Sequence, residues 1–210
     1  VPMTKIRRRI AARMVNAKQV TAMLTTFNEI DMSAIQNLRQ KYREEFDKVH
    51  GVSLGFMSFF ARACVTALRE FPNLNARLHD DEIIYHRYVH LGIAVSTERG
   101  LVVPVLRNVE SMSFARIEIE IKRMSAAARS GQLSIAELSD GTFTITNGGI
   151  FGSLLSTPII NMPQTGILGM HAIQKRPVVV DDEIVIRPMM YIALTYDHRL
   201  VDGRDSVRFL

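Results

Sequence analysis

A single cysteine, Cys64, stands among 210 residues, and one thiol can form neither an internal disulfide nor a multi-thiolate metal site. Such usage suits a reducing compartment. The flanking residues, Phe56 to Leu68, are mostly apolar, so Cys64 reads as a small buried core residue and not as a nucleophile. No run of about 18 apolar residues occurs, so no membrane span is expected, and no apolar segment behind a basic start resembles a signal peptide. Internal repeats and low-complexity segments are also lacking. His50, His79, His86, His90 and His171 show no metal-ligand spacing with one another or with carboxylates, so no metal site is expected. The chain opens at Val1 and not at Met, and is read as a fragment or processed form, one domain over residues 1–210.

What is present has the balance of an ordinary soluble globular domain with a sizeable core: 47% hydrophobic and 22% charged residues. The net charge of +5 raises the question of nucleic acid, and the densest basic run is Lys5-Ile6-Arg7-Arg8-Arg9, with Arg13 and Lys18 after it. No nucleic-acid motif accompanies it. A solvated or subunit-facing helix explains the run, and the phosphates of a small anionic cofactor are served equally well.

Hydrophobic periodicity predicts a basic helix over 4–18 with Ile6, Ile10, Met14 and Ala17 on one side, then a strand over Met23 to Asp31. Ser33-Ala34-Ile35-Gln36 fits a capping box, and Ile35, Leu38, Tyr42, Phe46 and Val49 form the apolar stripe of a helix reaching about His50. Residues 54–71 are apolar nearly all round, which predicts a buried helix. Strands are expected at Glu82–Tyr88, His90–Ser96 and Leu101–Leu106, with a turn at Glu98-Arg99-Gly100 and with Pro104 marking an edge or bulge. A helix over Phe114–Arg129 ends at Ser130-Gly131, and a short one follows at Ser134–Leu138. Further strands are read at Thr142–Thr146, Gly166–Met170, Val178–Val180, Glu183–Ile186 and Met190–Thr195, with a hairpin turn at Asp181-Asp182. The order mixes α and β without strict alternation, an α+β arrangement.

Chemistry concentrates near the C-terminal end, in Tyr196-Asp197-His198-Arg199-Leu200-Val201-Asp202-Gly203. His198 falls where a strand ends and a loop opens, a usual place for reactive groups. An imidazole titrates near pH 6.5, so around neutrality it is chiefly a neutral base. A thiol is its natural donor: the mismatch with a thiol pKa of about 8.5 is about 2.7 kcal/mol, small enough to be absorbed in an ordinary barrier. Asp202 reads both as a helix N-cap and as an orienting residue that pins the loop, through an arginine, and not as a group touching substrate. In Gly141-Thr142-Phe143-Thr144-Ile145-Thr146-Asn147-Gly148-Gly149 the alternating threonines are good strand formers. Thr146, at the point where strand runs into turn, can also donate to an oxyanion. Gly148 to Ser153 lacks the lysine and spacing of a phosphate loop and reads as a turn.

Taken with these motifs, Thr21 to Glu29, Leu54 to Ser58, Arg99 to Arg107, Phe143 to Ser153, Ser156 to Asn161 and Ile167 to Ile173 carry a resemblance over essentially the whole chain. The sequence resembles the catalytic domains of the dihydrolipoyl acyltransferases, the core components of 2-oxo acid dehydrogenase complexes. Thr21 to Glu29 and Gly169 to Ala172 resemble the succinyl-transferring branch of the 2-oxoglutarate complexes, while the histidine motif is shared with chloramphenicol acetyltransferase.

The resemblance implies an α/β, chloramphenicol acetyltransferase-like, CoA-dependent acyltransferase fold, with a mixed sheet flanked by helices. It implies homotrimers assembling into a hollow cubic core. It also implies a site between subunits, with His198 of one facing Thr146 of the next, Asp202 shaping the loop, and Ser153 and His171 as donors to a succinyl carboxylate. Coenzyme A would be co-substrate, and the lipoyl group would ride on an upstream domain. The partners implied are the 2-oxoglutarate dehydrogenase and dihydrolipoamide dehydrogenase components, with no nucleic acid and no membrane. The compartment implied is the cytoplasm in a bacterium and the mitochondrial matrix in a eukaryote. Transfer of acetyl or branched acyl groups, and a non-catalytic scaffold subunit, are the competing readings.

Overall fold

The computed structural model describes residues 1–98 and 100–210, so the expected turn at Glu98-Arg99-Gly100 falls outside the described residues at Arg99. In chain order the elements are α1 (Lys5–Val20), β1 (Met23–Asp31), α2 (Ser33–His50), α3 (Phe56–Glu70), β2 (Ala76–His79), β3 (Glu82–Tyr85), β4 (Leu91–Ile93), β5 (Val95–Thr97), β6 (Gly100–Val102), β7 (Val105–Leu106), α4 (Phe114–Ser130), β8 (Phe143–Asn147), β9 (Gly166–Met170), β10 (Gln174–Val180), β11 (Glu183–Asp197) and α5 (Gly203–Phe209). One seven-stranded sheet runs β1-β11-β9-β8-β4-β7, with β10 paired to β11. It is mixed: β4, β8 and β9 are parallel neighbours, and the remaining pairings are antiparallel.

Alternation along the central strands separates two faces. On one, Phe143, Ile145, Leu168, Met170, Ile192, Leu194 and Tyr196 meet Phe60, Cys64, Val65 and Leu68 of α3 and Ile117 and Met124 of α4 in a single core. Full burial of each large apolar side chain contributes about 1.5–3 kcal/mol, so this face is where most of the stability arises. The opposite face is polar. Thr25 and Thr195 share a hydrogen bond of 2.8 Å there, and the Thr144 hydroxyl donates to Gln164 Oε1 at 2.6 Å. The threonine alternation in β8 is thus a division of labour, with Phe143 and Ile145 turned to the core and Thr144 and Thr146 turned to the polar side.

Several expectations need correction. The Ser33 capping box does not form: Ser33 is already helical, Met32 precedes it without a side-chain cap, and the Ser33 N–H is taken by Asp31 Oδ1 at 2.8 Å. The Ser33 hydroxyl, and after it that backbone bond, hold the Asp31 carboxyl below its ordinary range. The two strands read as Glu183–Ile186 and Met190–Thr195 are one, because Pro188 sits where β11 leaves β10 and takes up β1, and its carbonyl accepts from the Met32 N–H at 2.8 Å. Strand β10 begins earlier, at Gln174, and β2 was not anticipated. Pro104 does divide the expected Leu101–Leu106 strand, leaving β7 at the sheet edge. Asp181 and Asp182, with φ of 51° and 63°, make the hairpin turn between β10 and β11. The apolar stripe of α2 is present, yet Leu38, Tyr42 and Val49 remain 47%, 40% and 66% exposed.

Candidate active site

Strand β11 carries the chain to Asp197, and His198 follows at the turn with its side chain exposed and its ring centroid 5.6 Å from that of Tyr196. The backbone beneath it is tightly held. The His198 N–H donates to the Ala22 carbonyl at 2.9 Å, and the Asp197 carbonyl accepts from the N–H groups of Leu200 and Val201 at 3.0 Å. The Asp197 carboxylate is 2% exposed and accepts from Arg199 Nη2 at 2.6 Å, from Arg199 Nε at 3.0 and 3.1 Å, and from the backbone N–H groups of Arg199 and Ala22 at 3.2 and 3.3 Å. Burial pushes this carboxyl upward, but the bonds from Arg199 outweigh it and hold the group below the usual carboxylate range.

Asp202 caps α5, its Oδ1 accepting from the Asp205 N–H at 2.9 Å, as the spacing to Gly203 predicts. Among the described residues no arginine pairs with Asp202, and Arg199 pairs with Asp197. Sequence reasoning passed over Asp197 because it is the last residue of a strand, and only the folded turn brings an arginine two residues on back over a buried carboxylate.

Thr146 ends the polar face of β8, half-buried, with no hydrogen-bond partner for its hydroxyl among the described residues. The next residues form a turn, as read from the sequence, and it is fixed by backbone. The Gly148 N–H donates to the Met170 carbonyl at 3.0 Å, the Ser153 N–H to the Gly148 carbonyl at 3.1 Å, and the Ala172 N–H to the Ser153 carbonyl at 2.9 Å. A Cβ on Gly149 would lie 2.3 Å from the His171 carbonyl oxygen, so only glycine fits this approach. Ile150 and Phe151, each 72% exposed, stand on the outside of the turn with Leu154 and Leu155 beyond them.

His171 follows β9 at a bulge. Met170 is opposite Ile192 and Gln174 is opposite Met189, so His171, Ala172 and Ile173 face only Met190 and Tyr191. The imidazole is 1% exposed, with Nδ1 2.9 Å from the Tyr191 carbonyl and Nε2 2.8 Å from Ser156 Oγ. Gly169 has no side chain to block it: a Cβ there would lie 3.4 Å from His171 Cε1 and 3.3 Å from Pro158. Gly169 is the ladder partner of Thr146, so Thr146, His171, Ser153 and Ser156 gather at one end of the polar face.

His198 is at the other end. Thr146 lies opposite Gly169 and Gly169 opposite Ala193, and His198 is five residues farther along β11. That is about 17 Å along the strand, plus two strand spacings of about 4.8 Å across. Within one chain the two groups cannot act on the same atom.

Cys64 and His90 are structural. Cys64 is 3% exposed, and burial pushes its thiol up to about 12. His90 is 7% exposed, its Nδ1 accepts from the Asn108 N–H at 3.0 Å, and burial holds its pKa down. Among the described residues no cluster of metal-ligating side chains occurs and no helix is long and apolar enough to cross a membrane.

Residues 1–210 match the model of the 2-oxoacid dehydrogenases acyltransferase (catalytic domain) family. The chain belongs to that family. It is 58% identical over 210 residues to the dihydrolipoyllysine-residue succinyltransferase component of the 2-oxoglutarate dehydrogenase complex from Haemophilus influenzae, covering all of this chain and 51% of that protein. The chain thus spans about half the length of the curated relatives it matches. Among solved structures, the dihydrolipoamide acetyltransferase of Azotobacter vinelandii, studied for the roles of a serine, a histidine and an asparagine in its catalytic mechanism, superposes with a TM-score of 0.96 at 32% identity. This match covers all of this chain and 86% of that one. The cubic core of the pyruvate dehydrogenase multienzyme complex gives a TM-score of 0.95 at 32% identity with the same coverage. Chloramphenicol acetyltransferase, at 15% identity and a TM-score of 0.55 over 94% of this chain and 90% of its own, shares the fold alone. The expected acyltransferase fold, a mixed sheet flanked by helices, is the one observed.

Proposed function

We propose that this family member transfers a succinyl group between dihydrolipoamide and coenzyme A, at a site composed of His198 from one subunit and Thr146 from the next. The observation that carries this reading is the strand register: an imidazole and a hydroxyl, neither bound to another protein group among the described residues, sit at opposite ends of one sheet. His198 takes the proton from the attacking thiol. The thiolate adds to the thioester carbonyl, and the Thr146 hydroxyl donates to the oxygen as it gains charge. Collapse expels the other thiolate, which recovers the proton from His198. Asp202 holds the turn in shape. Ile150, Phe151, Leu154 and Leu155 offer an apolar surface beside Thr146 suited to a long thiol-bearing arm.

The serine, histidine and asparagine studied in the Azotobacter protein are separated by 52 and 4 residues, the same separations as Thr146, His198 and Asp202 here. A hydroxyl, an imidazole and an Asx residue at matching intervals support the three roles. The succinyl assignment draws on the relatives at 56–58% identity, which are named for succinyl transfer. Ser153, and His171 beneath the same surface at the Thr146 end, are the residues we assign to selecting the succinyl group.

On the same reading, residues 1–210 are the catalytic domain, the lipoyl group is carried on a separate upstream domain, and trimers build a cubic core. That core works with 2-oxoglutarate dehydrogenase and dihydrolipoamide dehydrogenase in a bacterial cytoplasm. Turnover of dihydrolipoamide with succinyl-, acetyl- and isobutyryl-CoA tests the function directly. Succinyl-CoA is expected to give the highest kcat/KM; a preference for acetyl or isobutyryl reassigns the acyl group, and no transfer from any of the three favours a scaffold.

A further inference from the structure

Both ring nitrogens of His171 are already bonded, so the buried imidazole has no free hydrogen for a carboxylate. The Tyr191 carbonyl can only accept, so Nδ1 must carry a hydrogen, and in the neutral imidazole Nε2 is left as an acceptor. Ser156 Oγ, 2.8 Å away, then spends its single hydrogen on Nε2 and turns only lone pairs outward. A carboxylate arriving at that surface meets repulsion. If His171 gains a proton the bond reverses: Nε2–H donates to Ser156 Oγ, and the serine hydrogen is free to point out. His171 itself is 1% exposed, whereas Ser156 is exposed, so of the two it is the serine that a substrate reaches.

We infer that Ser156 is the group that meets the carboxylate of the acyl substrate, and that His171 is a positioning residue that sets the polarity of Ser156, taking up a proton as the carboxylate binds. The inference rests on the succinyl-transfer reading above and adds a residue and a proton to it. Breaking the Ser156–His171 bond without that proton would leave a buried ring nitrogen unpaired, a cost of about 1–3 kcal/mol. Proton uptake avoids this.

The charged and titratable groups around His171 are few. Tyr191 supplies the carbonyl, and the Arg176 guanidinium lies 4.7 Å from the centroid of the Tyr191 ring and donates to its hydroxyl at 2.9 Å. Glu29 of β1 stands opposite Tyr191, and the Asp31–Arg187 pair lies farther along the same face. Strand β8 and residues 148–158 contribute Thr146, Asn147, Ser153, Ser156 and Pro158, none of them charged. The proton that reverses the bond is therefore assigned to His171 itself.

The test compares kcat/KM for succinyl-CoA and acetyl-CoA, on dihydrolipoamide with the assembled protein, from about pH 6 to about pH 9. Ionisation of His198 and of the shared thiol acceptor cancels in the ratio. The succinyl-to-acetyl ratio is expected to fall as pH rises, by up to about tenfold per pH unit at the alkaline end. In Ser156→Ala, a substitution at an exposed site, the ratio becomes lower at acid pH and flat across the range. His171→Gln, which keeps an amide at this position but cannot titrate, also loses the slope. A wild-type ratio that favours succinyl yet does not vary with pH, or a slope that survives Ser156→Ala, overturns the relay and leaves succinyl transfer standing. A ratio favouring acetyl at every pH overturns the succinyl reading itself, and the relay with it.

Discussion

At the Asp197 end of β11 the turn is held by charge, a buried carboxylate gripped by Arg199 and two backbone N–H groups. At the Asn147 end of β8 the turn is held without charge, by peptide groups of Gly148, Ser153, Met170 and Ala172, by Asn147 Oδ1 accepting from the Gly149 N–H at 2.9 Å, and with Gly149 pressed against the His171 carbonyl. The two solutions serve one requirement. Each fixes the main chain beside a chemically useful side chain while leaving that side chain without a hydrogen-bond partner among the described residues. They differ in what can undo them: the first depends on ionisation and the second on the absence of a methyl group.

The largest effects should come from removing the free groups themselves. His198→Ala is expected to lower kcat by about 10² to 10⁴ and Thr146→Ala by about 10² to 10³, with the circular dichroism spectrum unchanged. Mixed trimers assembled from the two variants should recover activity, because some interfaces then pair an intact His198 with an intact Thr146. Inactive mixed trimers of confirmed composition would falsify the composite site.

Gly149→Ala tests the backbone-held end. Its Cβ would meet the His171 carbonyl at 2.3 Å, so the turn must shift, at a cost of about 3 kcal/mol in stability, measurable as a lowered denaturation midpoint and indifferent to pH.

Asp197→Asn tests the charge-held end, with a smaller cost of about 1.5 kcal/mol and a distinct pH signature. Because the folded state depresses this carboxyl, its contribution is fully present above the ordinary carboxylate range and is lost only as pH falls through the still lower folded value. The stability gap between wild type and Asp197→Asn should therefore be constant at neutral pH and close below about pH 4. A gap that instead changes near neutrality would mean that another group braces the turn.

What could be read from the sequence follows the range of the interactions. Strand ends at Thr146 and His198, the Asp202 cap and the turn at 148–153 are written in residues within a few positions of one another, and local patterning suffices for them. The Asp197–Arg199 brace depends on how deeply the end of β11 is buried. The His171 bulge is a one-residue offset between two ladders, which alternation within a single strand does not reveal. Ser33 misled because a serine followed by glutamine three residues on has the chemistry of a cap, while Asp31 two residues earlier had already taken the N–H. Pro188 looked like a break because a proline cannot donate to a ladder, but here its carbonyl is what matters, bonded to Met32 as β11 changes partners.

The distance between Thr146 and His198 along one sheet also bears on what a newly made subunit does before it finds its neighbours. On the proposed reading, a lone folded chain exposes His198 with Thr146 out of reach, and no rearrangement short of dismantling β11 brings the two together. Such a chain has little means to squander thioesters by hydrolysis. On the proposed composite site, the register of three strands acts as a safeguard, withholding reactivity until quaternary structure, and with it the proper acceptor, is in place.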